Sequence, residues 1–525
     1  MDFLLHHLLD SSARRFPNKE ALVCNDRRLS YQTVAANAAG LGRGLQQAGL
    51  EKGDRVGIYL PASIPQVLSI FGVSYAGGVF VPINSLLFHQ QVAHIARNCQ
   101  IKALITTASR LANLTDELKQ LTSLEFVVVI IDDKKPALSI PSHDFEQLCQ
   151  LPPLDRSEDS AIDKDLAALL YTSGSTGQPK GVMLSHAQLV AGSSIVSDYL
   201  EITECDRILS ILPFSFDAGL NQLITAFEQG ATLVMMTFIF AREIVQMLAK
   251  EDITALAGVP TLWTLMVQPN SGLQKQALPH LRYITNTGGA LPENVLSDLR
   301  QFLPTAQVFL MYGLTEAFRS TYLPPEEVDR RPTSIGKAIP NTEILVIDEQ
   351  GNRCAPGEIG ELVHRGPTVS LGYWQQPELT AKRLRPHPLL PATLAEKERV
   401  CYSGDLVRSD EDGFLYFVGR LDSLIKSSGF RLSPTEVEAV LMQSNWLQDA
   451  AVIGVADEML GQAVKAFVVA KADIELDIQQ LTRFSAEHLP RYMVPKQIEI
   501  LDKLPTTTSG KVDYPALRLK EVQAA

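Results

Sequence analysis

The sequence predicts an α/β protein. It has a large N-terminal domain of helix-covered sheets with a small β-barrel-like region, followed by a small α+β C-terminal domain. Three observations lead there. The chain has 525 residues, more than one hydrophobic core commonly organises. Short β-rich runs alternate with helical segments through the first two thirds, the pattern of a parallel sheet covered on both faces. The texture then changes twice, near residue 340 and again after residue 420.

Taken in order, "DRVGIYLP" (54–61) reads as a buried strand closed by its proline. A helical pattern follows, with Val67, Leu68, Phe71 and Val73 among its apolar residues. "FVVVIIDD" (126–133), "ATLVMM" (231–236), "LRYITNTGG" (281–289) and "AQVFLMYG" (306–313) are further strands, with "AREIVQMLAKE" and "PENVLSDLRQF" as helices between them. "TEILVIDEQGNRCAPGEIGELVHRG" breaks its strand runs with Gly, Asn and Pro, as antiparallel hairpins do. In "SPTEVEAVLMQ", Ser433 is the expected helix cap, Pro434 takes the first helical position, and Glu436 completes a capping box. "AAVIGVAD", "AVKAFVVAK" and a helix around "IQQLTRFSAEHL" complete a unit of ordinary domain size.

Composition excludes several classes. There are 47 basic and 59 acidic residues, a formal charge of −12, which disfavours non-specific nucleic-acid binding and attraction to anionic membranes. Cys24, Cys99, Cys149, Cys205, Cys354 and Cys401 show no CxxC spacing, so reduced thiols in a cytoplasmic protein are expected. "MDFLLHHLLD" lacks the basic region and long apolar core of a secretory signal. The apolar stretches fall short of the ~18–20 residues that span a bilayer, so no membrane insertion is expected.

The segment "LLYTSGSTGQPKGV" (169–182) carries the first functional signal. An apolar strand runs into a glycine-rich turn that exposes backbone N–H groups. Thr172, Ser173, Ser175 and Thr176 add hydroxyls, and Lys180 adds charge, so the loop can hold a polyphosphate. A plain strand turn explains the glycines but less readily this density of hydroxyls. The GxxxxGK[ST] pattern does not fit: from Gly174 the second glycine position is Pro179, and Lys180 is followed by Gly181. A Walker-type ATPase or kinase is therefore disfavoured.

The loop has companions in a fixed order: "YGLTEA" (312–317), "YSGDL" (402–406), "GRLDSLIKSSGFRLSPTEVE" (419–438) and "PTTTSGKVDYPAL" (505–517). Together with "YTSGSTGQPKGV" they resemble the adenylate-forming superfamily of acyl-CoA synthetases, peptide-synthetase adenylation domains and luciferases. The resemblance covers nearly the whole chain. It implies a two-step reaction with ATP as substrate: a carboxylate attacks the α-phosphate to give an acyl-adenylate and pyrophosphate, then a thiol displaces AMP. The physical obstacle is the meeting of two anions, so catalysis should be mostly positioning and electrostatic stabilisation.

The resemblance also implies roles. Thr172, Ser173, Gly174, Ser175, Thr176, Gly177 and Lys180 would bind the β- and γ-phosphates. Glu316 matches a Mg²⁺-coordinating glutamate, with Thr315 facing the phosphates. Tyr312, Gly313 and the run Gly288, Gly289, Ala290 would form the adenine site. Asp405 would accept from the ribose hydroxyls, with Arg420 near ribose or phosphates. Lys511 would span the carboxylate and the α-phosphate. Solvated surface is the default for a lone Glu, Asp or Lys; motif context reverses that for Lys511, Asp405 and Glu316. The implied organisation is a large domain (1–420), a hinge (421–423) at Asp422, and a mobile small domain (424–525) whose rotation brings Gly429 to a thiol tunnel. "LDSL" is not expected to be a carrier attachment site, since it sits inside the hinge match and no carrier-sized stretch follows it in this sequence.

"LPFSFDAGLNQL" (212–223) bears on the acid. Many acyl-CoA synthetases have histidine where Phe216 stands, and here "FD" resembles the amino-acid-activating branch, in which Asp217 pairs with the substrate ammonium. In a fatty-acyl pocket such a carboxylate would be an unpaired buried charge; the bland alternative is that Asp217 faces solvent or caps a helix. Ala218, Asn221, Met311, Arg319 and Ser320 fall near the substrate side chain by the same resemblance. Arg319 is unusual there and would meet an acidic group, pair with a nearby acid, or face water. A small or cyclic amino acid such as proline is the substrate suggested by resemblance to stand-alone aminoacyl–carrier ligases of natural-product pathways. The acceptor is then the phosphopantetheine of a separate carrier protein, or CoA. The alternatives are an AMP-forming acyl-CoA ligase for a non-amino acid and a binding module that has kept the fold without the reaction. Intact Lys511, Glu316 and Asp405 argue against the latter.

Overall fold

Strand Phe126–Ile130 shows why the first sheet is covered on both faces. Phe126 and Val128 pack into one hydrophobic cluster, while Val127 and Val129 pack into another. Alternate residues of a strand point to opposite faces, so a continuous apolar run is buried twice. The computed structural model describes residues 2–133, 140–173, 179–395, 398–421, 425–427, 430–457, 461–491, 493–507 and 510–524. The described chain forms two compact units, Met1–Glu343 with Arg365–Arg385, and Ile344–His364 with Pro386–Ala525.

The first unit holds helix-covered sheets, as expected, and there are two of them among the described residues. One has seven strands, in the order 142–144, 126–130, 103–107, 55–59, 79–82, 166–173 and 179–185; only its last pair is antiparallel. In the other, strands 307–314, 283–286, 255–258, 207–210, 232–235 and 20–24 run parallel in that order, with antiparallel hairpins at both ends. Strand Arg207–Ser210 is a topological switch: the strand that follows it in sequence lies on one side, and the next lies on the other. Crevices outside the carboxyl ends of such strands are where α/β sheets bind ligands.

In the second unit, strands Glu343–Ile347, Ile359–Arg365, Arg399–Ser409 and Leu415–Arg420 are neighbours in that order and enclose Leu345, Ile347, Val363, Val400 and Tyr402. These are the antiparallel strands expected of the barrel-like region. The C-terminal residues have their own sheet, centred on the hairpin Leu447–Asp457 and Gly461–Ala470, with a core on each face. The capping box expected at Ser433 does not form. Its hydroxyl instead donates to the Val418 carbonyl and lies 2.7 Å from the Thr435 hydroxyl, which draws it away from the helix end. All six cysteines are free, and among the described residues no helix is long and apolar enough to cross a membrane.

One buried titration contributes to the acid sensitivity of the first unit. His186 is 1% exposed and its Nδ1 accepts the Leu5 backbone N–H at 3.1 Å. Burial pushes its pKa down to about 3, helped by His6 and His7 and opposed by Asp165 and Asp159. The unfolded chain therefore takes up a proton between about pH 6.5 and pH 3 that the folded chain refuses. The stability held at neutral pH is lost as pH falls through that window, by up to about 1.4 kcal/mol per unit from this group. Urea titrations at pH 7, 5.5 and 4.5 should show the midpoint falling with acid and a shallower fall in His186→Asn. An identical fall in that variant would contradict the assignment.

Candidate functional site

The segment expected to bind phosphate joins strands Leu166–Ser173 and Pro179–Ser185, whose register sets Thr172 opposite Lys180. Gly174, Ser175, Thr176, Gly177 and the Ser173 side chain lie outside the described residues. A segment around 368–374 stitches this hairpin to the other sheet. Leu371 N–H donates to Met183 O at 2.9 Å and Trp374 N–H to Gly181 O at 2.8 Å. On its other edge Ser370 N–H donates to Glu316 O at 2.8 Å and Phe318 N–H to Thr368 O at 3.0 Å. Gly372, at φ +106°, allows this path; a Cβ there would lie 2.2 Å from Thr380.

Thr315 and Glu316 occupy the tip of the hairpin between strands 307–314 and 317–323, since Leu314 pairs with Ala317. Glu316 is buried, and its Oε1 accepts from the Tyr373 hydroxyl at 2.5 Å with Arg383 Nη2 at 3.8 Å. Burial and the adjacent Glu316 carboxylate push the Tyr373 phenol well above its usual pKa, so it stays a donor. Lys180 Nζ stands 6.0 Å from the centre of the Tyr373 ring. Two expected residues, Lys180 and Glu316, thus meet around Tyr373. Neither Tyr373 nor Arg383 was found by sequence reasoning: "GYWQQPELTAKR" carries no motif for them, and only strand pairing reveals their place.

Mg²⁺ fits this corner. It binds through one or two carboxylates plus substrate phosphates rather than a dedicated protein cage. Glu316 commits Oε1 to Tyr373 and so leaves Oε2 to serve. Among the described residues the one group of three metal-capable side chains, His6, His7 and Asp159, is elsewhere and already hydrogen-bonded within itself.

The expected adenine residues follow the carboxyl ends of two neighbouring strands. Gly288, Gly289 and Ala290 come just after strand Tyr283–Asn286, and the Asn286 amide holds the Gly289 carbonyl at 2.9 Å. Tyr312 and Gly313 end strand Gln307–Leu314, and a Cβ on Gly313 would stand 3.3 Å from Arg319 Cα.

In the second unit, Asp405 and Arg420 are cross-strand partners, with Nη1 and Oδ1 3.1 Å apart. The aspartate is buried and fixed locally, its N–H donating to Ser403 Oγ at 3.0 Å, while the guanidinium is half exposed. Lys511 is exposed on a tight hairpin: Thr507 N–H donates to Lys511 O at 2.7 Å, and Gly510 supplies the left-handed residue at φ +80°. Asp422 and Gly429 lie outside the described residues.

The acid-binding candidates gather on helix Asp217–Gln229, which follows the switch strand Arg207–Ser210. A Cβ on Gly219 would lie 2.3 Å from the Pro213 carbonyl, so only glycine lets the helix start so close to the preceding loop. Asp217 neither faces solvent nor caps the helix. It is the first helical residue after Phe216, is 7% exposed, and makes no ion pair among the described residues. The helix N-terminus favours a negative charge there without neutralising it.

Asn221, one turn on, lines an enclosed cavity of about 30 Å³ with Met311 and Arg319. Gln222, Thr225 and Thr285 are further polar walls that the sequence did not suggest. Phe216, Asp217, Ala218 and Ser320 do not line it; Ser320 is fully buried and donates to Ala317 O at 3.2 Å. Arg319 does not face water, being 5% exposed. Nor does it pair with a nearby acid: among the described residues its guanidinium has no hydrogen bond or ion pair. Its φ of +77°, beside a register shift in the hairpin, is the conformation that aims it.

Residues 9–374 match the family of AMP-binding enzymes, and residues 436–511 match the AMP-binding enzyme C-terminal domain. The chain is 31% identical over 516 residues to a linear gramicidin synthase of Brevibacillus parabrevis, covering 98% of this chain and a tenth (10%) of that protein. It is 30% identical over 538 residues to a long-chain-fatty-acid–CoA ligase of Bacillus subtilis, covering 97% and 93% of the two. Its fold superposes on the crystal structure of the anthranilate CoA ligase AuaEII in complex with anthranoyl-AMP with a TM-score of 0.89, at 26% identity over 100% and 98% of the chains.

Proposed function

The chain belongs to the AMP-binding enzyme family of AMP-forming, adenylate-forming ligases, and from that premise we propose that it activates an amino acid and passes it to the phosphopantetheine thiol of a separate carrier protein. The observation that carries the amino-acid part is Asp217, a buried carboxylate without a counter-charge beside the switch strand. An α-ammonium supplies that charge through a charge-assisted hydrogen bond.

In the first step the substrate carboxylate oxygen attacks the α-phosphorus and pyrophosphate leaves. In the second, a thiolate attacks the acyl carbon and AMP leaves. Lys180 and the backbone of its loop hold the β- and γ-phosphates, with Thr315 beside them. Glu316, oriented by Tyr373 and Arg383, would hold Mg²⁺, which when bound neutralises phosphate charge. Tyr312 and the Gly288–Ala290 backbone take the adenine. Asp405 accepts from the ribose hydroxyls, with Arg420 holding the carboxylate in place. Lys511 offsets charge on the attacking carboxylate and the α-phosphate. The small domain (424–525) turns about Asp422 between steps, bringing Gly429 to the thiol.

A second reading is favoured by the near full-length match to an acyl-CoA ligase: a non-amino carboxylic acid passed to CoA. A pyrophosphate-exchange screen across amino acids and their deamino counterparts separates the two, and the mass of the thioester formed with holo-carrier or CoA identifies the acceptor. Asp217→Ala should lower kcat/KM for the amino acid roughly 10²-fold more than for its deamino analogue, the usual scale for stranding one member of a buried charge pair. Equal losses would remove the case for an ammonium.

A further inference from the structure

Arg319 is 5% exposed and lines the enclosed cavity, yet among the described residues its guanidinium meets no acceptor at all. Its Nε is a buried donor without a partner, and so is the Nδ2 of Asn221 across the same cavity. Of the threonines that line the cavity, Thr225 is committed elsewhere, its hydroxyl donating to the Asn221 carbonyl at 2.8 Å. A guanidinium is always charged, carries only donors, and presents a planar fork matched to a carboxylate. Holding it buried without a counter-ion is unfavourable, and its backbone adopts the left-handed region, which a non-glycine residue enters at a cost, to put it there. Such an arrangement is complete only when an anion arrives.

We infer that the acid activated by this protein is a dicarboxylic one, whose second, non-reacting carboxylate seats on Arg319 with Asn221 as an additional donor. This rests on the proposed adenylation function and names its substrate class. Combined with Asp217, the charge pattern describes an α-amino dicarboxylic acid: ammonium to Asp217, side-chain carboxylate to Arg319, α-carboxylate to ATP. Proline and other uncharged side chains leave the guanidinium without a counter-charge and fit the cavity's chemistry less well.

The test is pyrophosphate exchange on the whole chain with four acid classes. These are amino dicarboxylic acids (aspartate, glutamate, 2-aminoadipate), their side-chain amides, neutral amino acids including proline, and deamino diacids such as succinate and glutarate. One diacid is expected to exceed its own amide by at least about 10²-fold in kcat/KM, as a site built for a polar group rejects the analogue lacking it. In Arg319→Met that ratio should collapse at least tenfold, and Arg319→Lys should restore part of it; the lysine variant also covers the case in which the methionine variant does not fold. Preference for amino over deamino diacids tests Asp217 separately. Exchange with neutral acids or amides equal to or above the diacids overturns this inference while leaving adenylation standing. No exchange with any of the four classes overturns both this inference and the amino-acid reading, and leaves the non-amino monocarboxylic acids of the second reading.

Discussion

Lys511→Ala is expected to lower acid-dependent pyrophosphate exchange by at least about 10²–10³-fold while leaving the fold intact. That magnitude is what loss of one preorganised group at a developing charge typically costs. The chemistry asks one anion to attack another, and a cation placed at both lowers the barrier without altering the bound ground state much. The hairpin carries a backbone bond between Thr507 and Lys511 and has Gly510 in the left-handed region, neither of which uses the lysine side chain. Surface substitutions usually change stability by about 0.5 kcal/mol or less. Thermal unfolding should therefore change far less than exchange, and near-normal exchange would refute the assigned role. Hydrolysis or thiolation of a chemically prepared acyl-adenylate should suffer less, since that step lacks the encounter of anions.

Glu316→Gln is expected to cost roughly 10²-fold in kcat/KM for MgATP and to raise the Mg²⁺ concentration needed for half-maximal rate. The substitution keeps the shape and an oxygen for Tyr373 to donate to, but removes the charge from a corner that also holds Lys180 and Arg383. A hard cation such as Mg²⁺ prefers an anionic oxygen to an amide. Because Glu316 would no longer carry a charge facing Arg383 at 3.8 Å, a modest fall in unfolding temperature is also expected. Unchanged Mg²⁺ dependence would show that Glu316 serves structure alone.

Much of the fold could be read from particular residues. Phe126–Ile130 and its sister runs announced a doubly covered parallel sheet because continuous apolar strands have no face to give to water. The Gly-, Asn- and Pro-broken stretch after Glu343 announced antiparallel hairpins for the opposite reason. Ser433 was misread in detail: its place at the helix start was legible, but the competing Val418 carbonyl belongs to a distant strand that no local pattern encodes. The site divides the same way. Thr172, Lys180, Glu316 and Lys511 sit in short contiguous motifs, so each could be named as a candidate from one dimension. Tyr373 and Arg383 reach Glu316 only through long-range strand pairing. The bareness of the Arg319 guanidinium is a property of everything around it, so the sequence could name the residue as unusual but not say that it goes unanswered.

The most direct test of adenylation is the fate of carboxylate oxygen. The acid supporting the fastest exchange is labelled with ¹⁸O in its carboxyl groups and incubated with ATP, Mg²⁺ and an acceptor thiol, and the nucleotide products are weighed. Attack of the carboxylate on the α-phosphorus predicts AMP carrying one ¹⁸O for each thioester formed, and unlabelled pyrophosphate. ADP with labelled orthophosphate, or AMP without label, would contradict it.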